Sequence, residues 1–182
     1  LYAIDRKSII DNIYKGAAEP VPCLYGNPQY YPDDIEQYDY NPERARELLA
    51  EIGLDPASLG TVILDTYYND QLSADVMTVM QANLADIGLT VDLMPMDGAS
   101  WTSRYYDQKE SQMSFTGGAN GADPNRAYQY FYSTSPGNNY KYNNPELDRL
   151  LDEGRMEMDP ARRTEIYQEA CRVLGHDQPW VF

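Results

Sequence analysis

Residues 61–96 carry the pattern that most narrows the possible folds. Residues 61–68 are rich in β-branched and aromatic side chains, with Val62, Ile63 and Leu64 in a row, and read as a strand. Ser73 can open a helix that carries Val76, Met80, Leu84 and Ile87 on one side, and Gly88 can end it. Leu89, Val91 and Leu93 then alternate over residues 89–96, the period of a half-buried strand. A strand, a helix and a strand in that order normally form a parallel pair joined by a right-handed crossover. The segment therefore predicts an α/β fold with a mixed, largely parallel sheet flanked by helices. In open α/β sheets, ligands gather beyond the carboxyl ends of the strands. That rule points to Tyr67, Tyr68 and Asn69, and to the glycine-rich segment that follows Thr116.

Helix starts recur along the rest of the chain. Asp5 can cap a helix bearing Ile9, Ile10, Ile13 and Tyr14, with Gly16 as its stop. Asn41-Pro42-Glu43 sets proline at the first helical position and an acid in the first turn, ahead of Ala45, Leu48, Leu49 and Ile52. Asn144-Pro145-Glu146 does the same ahead of Leu147, Leu150 and Leu151, and Asp159-Pro160 opens the last helix, ahead of Ile166, Ala170, Val173 and Leu174, with Gly175 as the stop. Short strands are expected at 113–116 and 180–182. Residues 19–40 and 133–144 lack either period. The first of these is too rich in proline and tyrosine for a flexible linker. No internal repeat is present, and residues 1–182 read as one compact domain.

Charge excludes several functions. The 182 residues hold 14 basic and 29 acidic side chains, a net charge of −15. No basic face is available to neutralise the phosphates of nucleic acid or to dock on anionic lipid. No apolar run approaches the roughly 20 residues that span a bilayer. His176 is the lone histidine, which rules out multi-histidine metal sites and argues against a histidine triad. It follows Gly175, where it complements a helix carboxyl end. Cys23 and Cys171 either pair or stay as two small buried thiols. No cofactor is implied. The chain starts at Leu1 without a signal peptide, as expected of an excised domain.

Three features suit a binding surface. The loop Gly117-Gly118-Ala119-Asn120-Gly121-Ala122-Asp123-Pro124 lets backbone approach a ligand. It also ends in a cap for a helix holding Tyr128, Phe131 and Tyr132, and it lacks the Gly-Lys-Ser/Thr of a phosphate loop. Tyrosine occurs 17 times, and its apolar face and polar tip serve wet clefts as well as half-buried surfaces. Trp101 stands in Asp97-Gly98-Ala99-Ser100-Trp101, at a helix start beyond a strand end, as a packing plug or a stacking residue. Asp65, Asp92 and Asp97 lie on or near strands, but nothing pairs two of them for hydrolytic chemistry.

Taken in order, the pieces resemble the second lobe of the family 5 extracellular solute-binding proteins, which serve ABC importers of oligopeptides, dipeptides and nickel. The resemblance rests on Ala3-Ile4-Asp5-Arg6, Tyr40-Asn41-Pro42-Glu43-Arg44-Ala45, Leu84-Ala85-Asp86-Ile87-Gly88-Leu89, Trp101, Asp123-Pro124, Tyr142-Asn143-Asn144-Pro145-Glu146-Leu147-Asp148, and Asp159-Pro160 through Tyr167. It covers nearly the whole chain. It implies lobe II of a type II periplasmic-binding fold, closing on a ligand by hinge motion against a larger first lobe. It also implies an extracellular or periplasmic parent anchored as a lipoprotein, membrane subunits of an importer as partners, and no catalysis.

Ligand contacts in such a lobe come from the loop after the first strand, the tryptophan and the loop before Asp-Pro. Here these are Tyr67, Asn69 and Ser73, then Trp101, then Gly118 and Asn120. Peptide binders of the family carry an aspartate where this chain has Asn120, and a tryptophan where it has Gly117. An amide cannot give an ammonium the charge-assisted bond of a carboxylate. The ligand class thus stays open between a peptide, another small polar solute and an oligosaccharide. A glycoside hydrolase-type domain and a ligand-sensing domain are the alternatives. Glycoside turnover lost with one carboxylate would mark the first, and a kinase or chemoreceptor module encoded downstream the second.

Overall fold

A computed structural model describes residues 1–35, 38–118 and 121–181. The chain divides into two compact units, one of Leu1–Glu19 and Tyr38–Gly117, the other of Pro20–Gln37 and Gly118–Phe182.

The first unit begins with α1 (Arg6–Ser8), which Asp5 caps and which runs on as a π-helical turn over Ile9–Ile13. Next come α2 (Pro42–Glu51), capped by the Asn41 side chain, and β1 (Thr61–Thr66). Then follow α3 (Gln71–Asp86), β2 (Thr90–Pro95), α4 (Gly98–Thr102) and the short β3 (Met113–Ser114). The sheet order is β2-β1-β3. Both neighbours run parallel to β1, with Leu64 opposite Leu93 on one side and Met113 on the other. The parallel pair expected of residues 61–96 is present. Leu64, Val76, Met77, Leu84 and Val91 bury their side chains with Ile4, Ile9 and Ala45 to form the unit's core.

One boundary differs from expectation. The helix predicted to open at Ser73 opens at Gln71, because the Asp70 carboxylate accepts the Ser73 amide at 2.9 Å and its hydroxyl at 2.8 Å. Those two bonds, amide first, hold the Asp70 carboxyl below its ordinary pKa. At the start of α4, the Ser100 hydroxyl and then its amide do the same for Asp97. A carboxyl with a lower pKa in the folded state stabilises fully above its unfolded value of about 4, and the contribution disappears as pH falls through the folded value. The melting midpoint is therefore expected to fall between pH 6 and pH 3. Asp70→Asn keeps a good cap but does not titrate, so melting curves of that variant should fall less. A fall equal to the parent's would remove Asp70 from the acid response.

The second unit holds α5 (Arg126–Phe131), α6 (Pro145–Met156) and α7 (Pro160–Asp177). Leu147, Leu150 and Leu151 of α6 bury against Ile166, Tyr167, Ala170 and Leu174 of α7, with Phe131 and the early residues Leu24, Tyr25 and Tyr30. At Gly154 a β-carbon would come within 2.8 Å of the Tyr167 ring, so glycine permits the close approach of α6 to α7. Cys23 and Cys171 are joined in a disulfide, with Cα atoms 5.6 Å apart.

Three expectations for this unit are corrected. Gly175 does not end α7: the helix runs to Asp177, and Gln178 closes it in the left-handed conformation. At Gly175 a β-carbon would lie 2.5 Å from Ile35 Cδ1, so Ile35 packs close against the helix backbone. Asp123-Pro124 forms a turn before α5 rather than its cap, since Asp123 Oδ1 accepts the Asn125 amide and pairs with Arg163 at 2.8 Å. Trp180 is not in a strand; its ring packs 4.9 Å from Phe131 and 5.0 Å from Tyr130. Phe182 lies outside the described residues.

Candidate functional site

Beyond the carboxyl ends of β1 and β2, the first unit gathers aromatic rings around a buried carboxylate. Asp65, the penultimate residue of β1, is fully buried. Its Oδ1 accepts the Trp101 indole N–H at 3.1 Å. Its Oδ2 accepts the Ser111 hydroxyl at 2.6 Å and the Arg104 Nε–H at 3.3 Å. Trp101 Nε1 also donates to Ser114 Oγ at 3.0 Å. A charge this deep persists only with such partners. The result fixes α4 and the turn that follows it to the central strand.

Rings extend outward from this anchor. Trp101 is only 6% exposed and stacks on Tyr105, with centroids 4.6 Å apart and planes 19° apart. Tyr67 meets its edge at 4.8 Å, and Tyr106, 39% exposed, meets it at 5.9 Å. Tyr67 and Tyr68 are half-buried neighbours with centroids 4.5 Å apart, and Tyr68 reaches Phe115 at 5.7 Å. The Tyr67 hydroxyl donates to the Gly117 carbonyl at 2.5 Å. Burial, then the Tyr67 hydroxyl, push the Tyr68 phenol up to about 12, so it stays neutral at ordinary pH. The surface so formed offers ring faces and edges, phenol oxygens and a backbone carbonyl, which suit a small polar ligand.

The expected site residues fare differently. Tyr67 and Asn69 lie together beyond β1, Asn69 exposed. Ser73 is buried, and its hydroxyl is taken up in capping α3. Trp101 supports the ring cluster from within rather than offering an open face. Gly118 is exposed and belongs to the second unit. Asn120 lies outside the described residues. Asp97 caps α4 and Asp92 is exposed on β2. Asp65 was legible only as one acid among many; its signal was a carboxylate inside a run of strand residues, which must find partners when buried. Arg104, Ser111 and Ser114 carried no comparable signal.

Comparison with known proteins gives a consistent picture. The family described as bacterial extracellular solute-binding proteins, family 5 Middle, matches residues 1–140. A Brucella ovis protein named as an ABC transporter peptide-binding protein is 34% identical over 189 residues, across 99% of this chain and 36% of its own length. The chain thus spans about a third of such relatives. The ABC transporter substrate-binding protein CtaP from Listeria monocytogenes superposes with a TM-score of 0.85 at 29% identity, over 97% of this chain and 37% of that one. The oligopeptide-binding protein AppA from Bacillus subtilis, in complex with a nonapeptide, superposes with a TM-score of 0.86. At 23% identity, over 100% of this chain and 39% of AppA, that likeness speaks for the fold alone.

Proposed function

The chain belongs to the family 5 bacterial extracellular solute-binding proteins, and on that premise we propose that it is one ligand-binding lobe of a protein that captures a small polar solute for an ABC importer. The observation that carries this reading is the ring cluster beyond the carboxyl ends of β1 and β2, with Tyr67, Tyr68 and Asn69 at its open side. Binding works by enclosure against the first lobe of the same protein, with hydroxyl, amide and carbonyl groups orienting the ligand and water filling spare volume. The complex delivers its cargo to the importer's membrane subunits, and no bond is made or broken. In the first unit Tyr67 and Asn69 contact the ligand, and Trp101 and Ser73 hold the frame beneath those two; Gly118 and Asn120 are ligand contacts on the family pattern alone.

A peptide is the first ligand class, because the Brucella relative is named for peptide binding. An oligosaccharide is the second, because the described part of the surface meets a ligand with neutral rings and hydroxyls. The family is extracellular, and we place the parent outside the cytoplasmic membrane on a lipid anchor. The Cys23–Cys171 disulfide accords with an oxidising compartment.

An amide NMR titration tests the reading, with a tripeptide mixture and then a mixture of cello- and manno-oligosaccharides. Shifts are expected in residues 67–73 and 115–118, and the active mixture names the ligand class. Shifts confined to α6 and α7 would sink the site. In the full-length parent, Tyr67→Ala should weaken ligand about tenfold, the loss of one stacking and hydrogen-bonding side chain. Unchanged affinity removes Tyr67 from the site. Trp101→Ala is a poor substitute, since it deletes a buried ring.

A further inference from the structure

Gly117 is not in a left-handed conformation, so its backbone does not require glycine. What a side chain would meet is Tyr68: a β-carbon on residue 117 would lie 2.9 Å from the Tyr68 hydroxyl oxygen, so one of the two must shift. The Tyr67 hydroxyl, 3.3 Å from that of Tyr68, donates to the carbonyl of the same Gly117. With the Tyr67 proton committed there, Tyr68 is left to donate to the Tyr67 oxygen. Two phenols thus clasp one glycine, and the space that a side chain at 117 would occupy is the space the Tyr68 hydroxyl fills. At neighbouring Gly118 a β-carbon would meet nothing within 4 Å. The exclusion is particular to 117.

We propose that Tyr68 and Gly117 form one specificity-determining pair in the ligand surface. The absent side chain admits the Tyr68 hydroxyl, and the pair then presents phenol oxygens and a carbonyl that select hydroxyl or amide groups of the ligand. This rests on the ligand-capture reading above. The carboxylate whose field reaches Tyr68 is that of Asp70, and both its oxygens bond Ser73. It caps α3, and the Ser73 bonds hold it ionised.

The test is a double-mutant cycle on the 182-residue chain with Gly117→Ala, Tyr68→Phe and both together. Overpacking at 117 should lower the melting midpoint by about 3 °C or more next to the intact tyrosine. In the Tyr68→Phe background the clashing atom is gone, and the loss should shrink to about 1 °C or less. Equal losses in the two backgrounds overturn the pair. Trialanine, triglycine, cellotriose and mannotriose are then titrated against the parent and each variant. For a probe that binds the parent, Gly117→Ala should cost about tenfold in affinity, and the double variant should return to within about threefold of Tyr68→Phe alone. A probe bound equally by parent and Gly117→Ala overturns the specificity role. If none of the probes binds the parent, the ligand-capture reading loses support, while the melting cycle still decides whether the two residues share one space.

Discussion

Reduction of the Cys23–Cys171 disulfide should cost the second unit about 4–5 kcal/mol. The bond closes a loop over a sequence separation of 148 residues. Chain entropy then assigns about 5 kcal/mol to the crosslink, through its restriction of the unfolded chain. If the first unit stays folded while the second opens, the flexible part of that loop is shorter. The dependence on length is logarithmic, so the figure falls only to about 4 kcal/mol. Either value is a large share of the 5–15 kcal/mol typical of a whole domain. Both sulfurs are fully buried among Leu24, Tyr25, Ala170 and Leu174, so reduction also leaves two thiols in an apolar core. Urea unfolding with and without reductant, alongside Cys23→Ser/Cys171→Ser, measures the effect. Coincident midpoints would refute it, as would two titratable thiols in denaturant without reductant.

Asp65→Ala should destabilise the first unit by about 3 kcal/mol, near the lower end of the range for breaking a buried ion pair. The substitution takes the carboxylate from the Ser111 hydroxyl and the Arg104 guanidinium, and leaves the Trp101 indole N–H with Ser114 Oγ as its acceptor. Arg104 keeps 23% of its side chain in solvent and has a second carboxylate, Glu110, at 3.5 Å. It can rehydrate in part, which keeps the cost from the top of the range. Asp65→Asn keeps an oxygen for the indole but turns an N–H₂ toward two other donors, so about 2 kcal/mol is expected. Urea unfolding followed by tryptophan fluorescence reports it, with the second unit's midpoint as internal reference. A loss below about 1 kcal/mol for the alanine variant would show that Asp65 does not anchor the ring cluster.

Much of the fold is legible because its causes are local. Asn41-Pro42 and Asn144-Pro145 start helices where the caps say they should, and Gly53 and Gly88 adopt positive φ just past α2 and α3. A cap needs only residues within one turn of each other. The same locality explains the error at Ser73, where an acid three residues upstream makes the better acceptor and uses the serine as donor. The candidate surface was half legible. The strand-end rule pointed to Tyr67 and Asn69, which lie beyond β1, while sequence left Trp101 open between a packing plug and a stacking residue, and Asp65 and Ser114 turn its indole N–H inward.

What the sequence alone determined is the set of short-range commitments: the parallel strand–helix–strand, the helix starts, the acidic net charge, and the family resemblance. What only the tertiary structure decided involves partners far apart in the chain. Those are the pairing of Cys23 with Cys171, the donors gathered on Asp65 from residues 101–111, and the close approaches at Gly117, Gly154 and Gly175. The physical reason is one of range. Capping and periodicity are set by neighbours within a turn or two, so they are written in order along the chain. Burial of a charge, closure of a long loop and exclusion of a β-carbon depend on which distant segment packs there, and that is settled only when the two cores form.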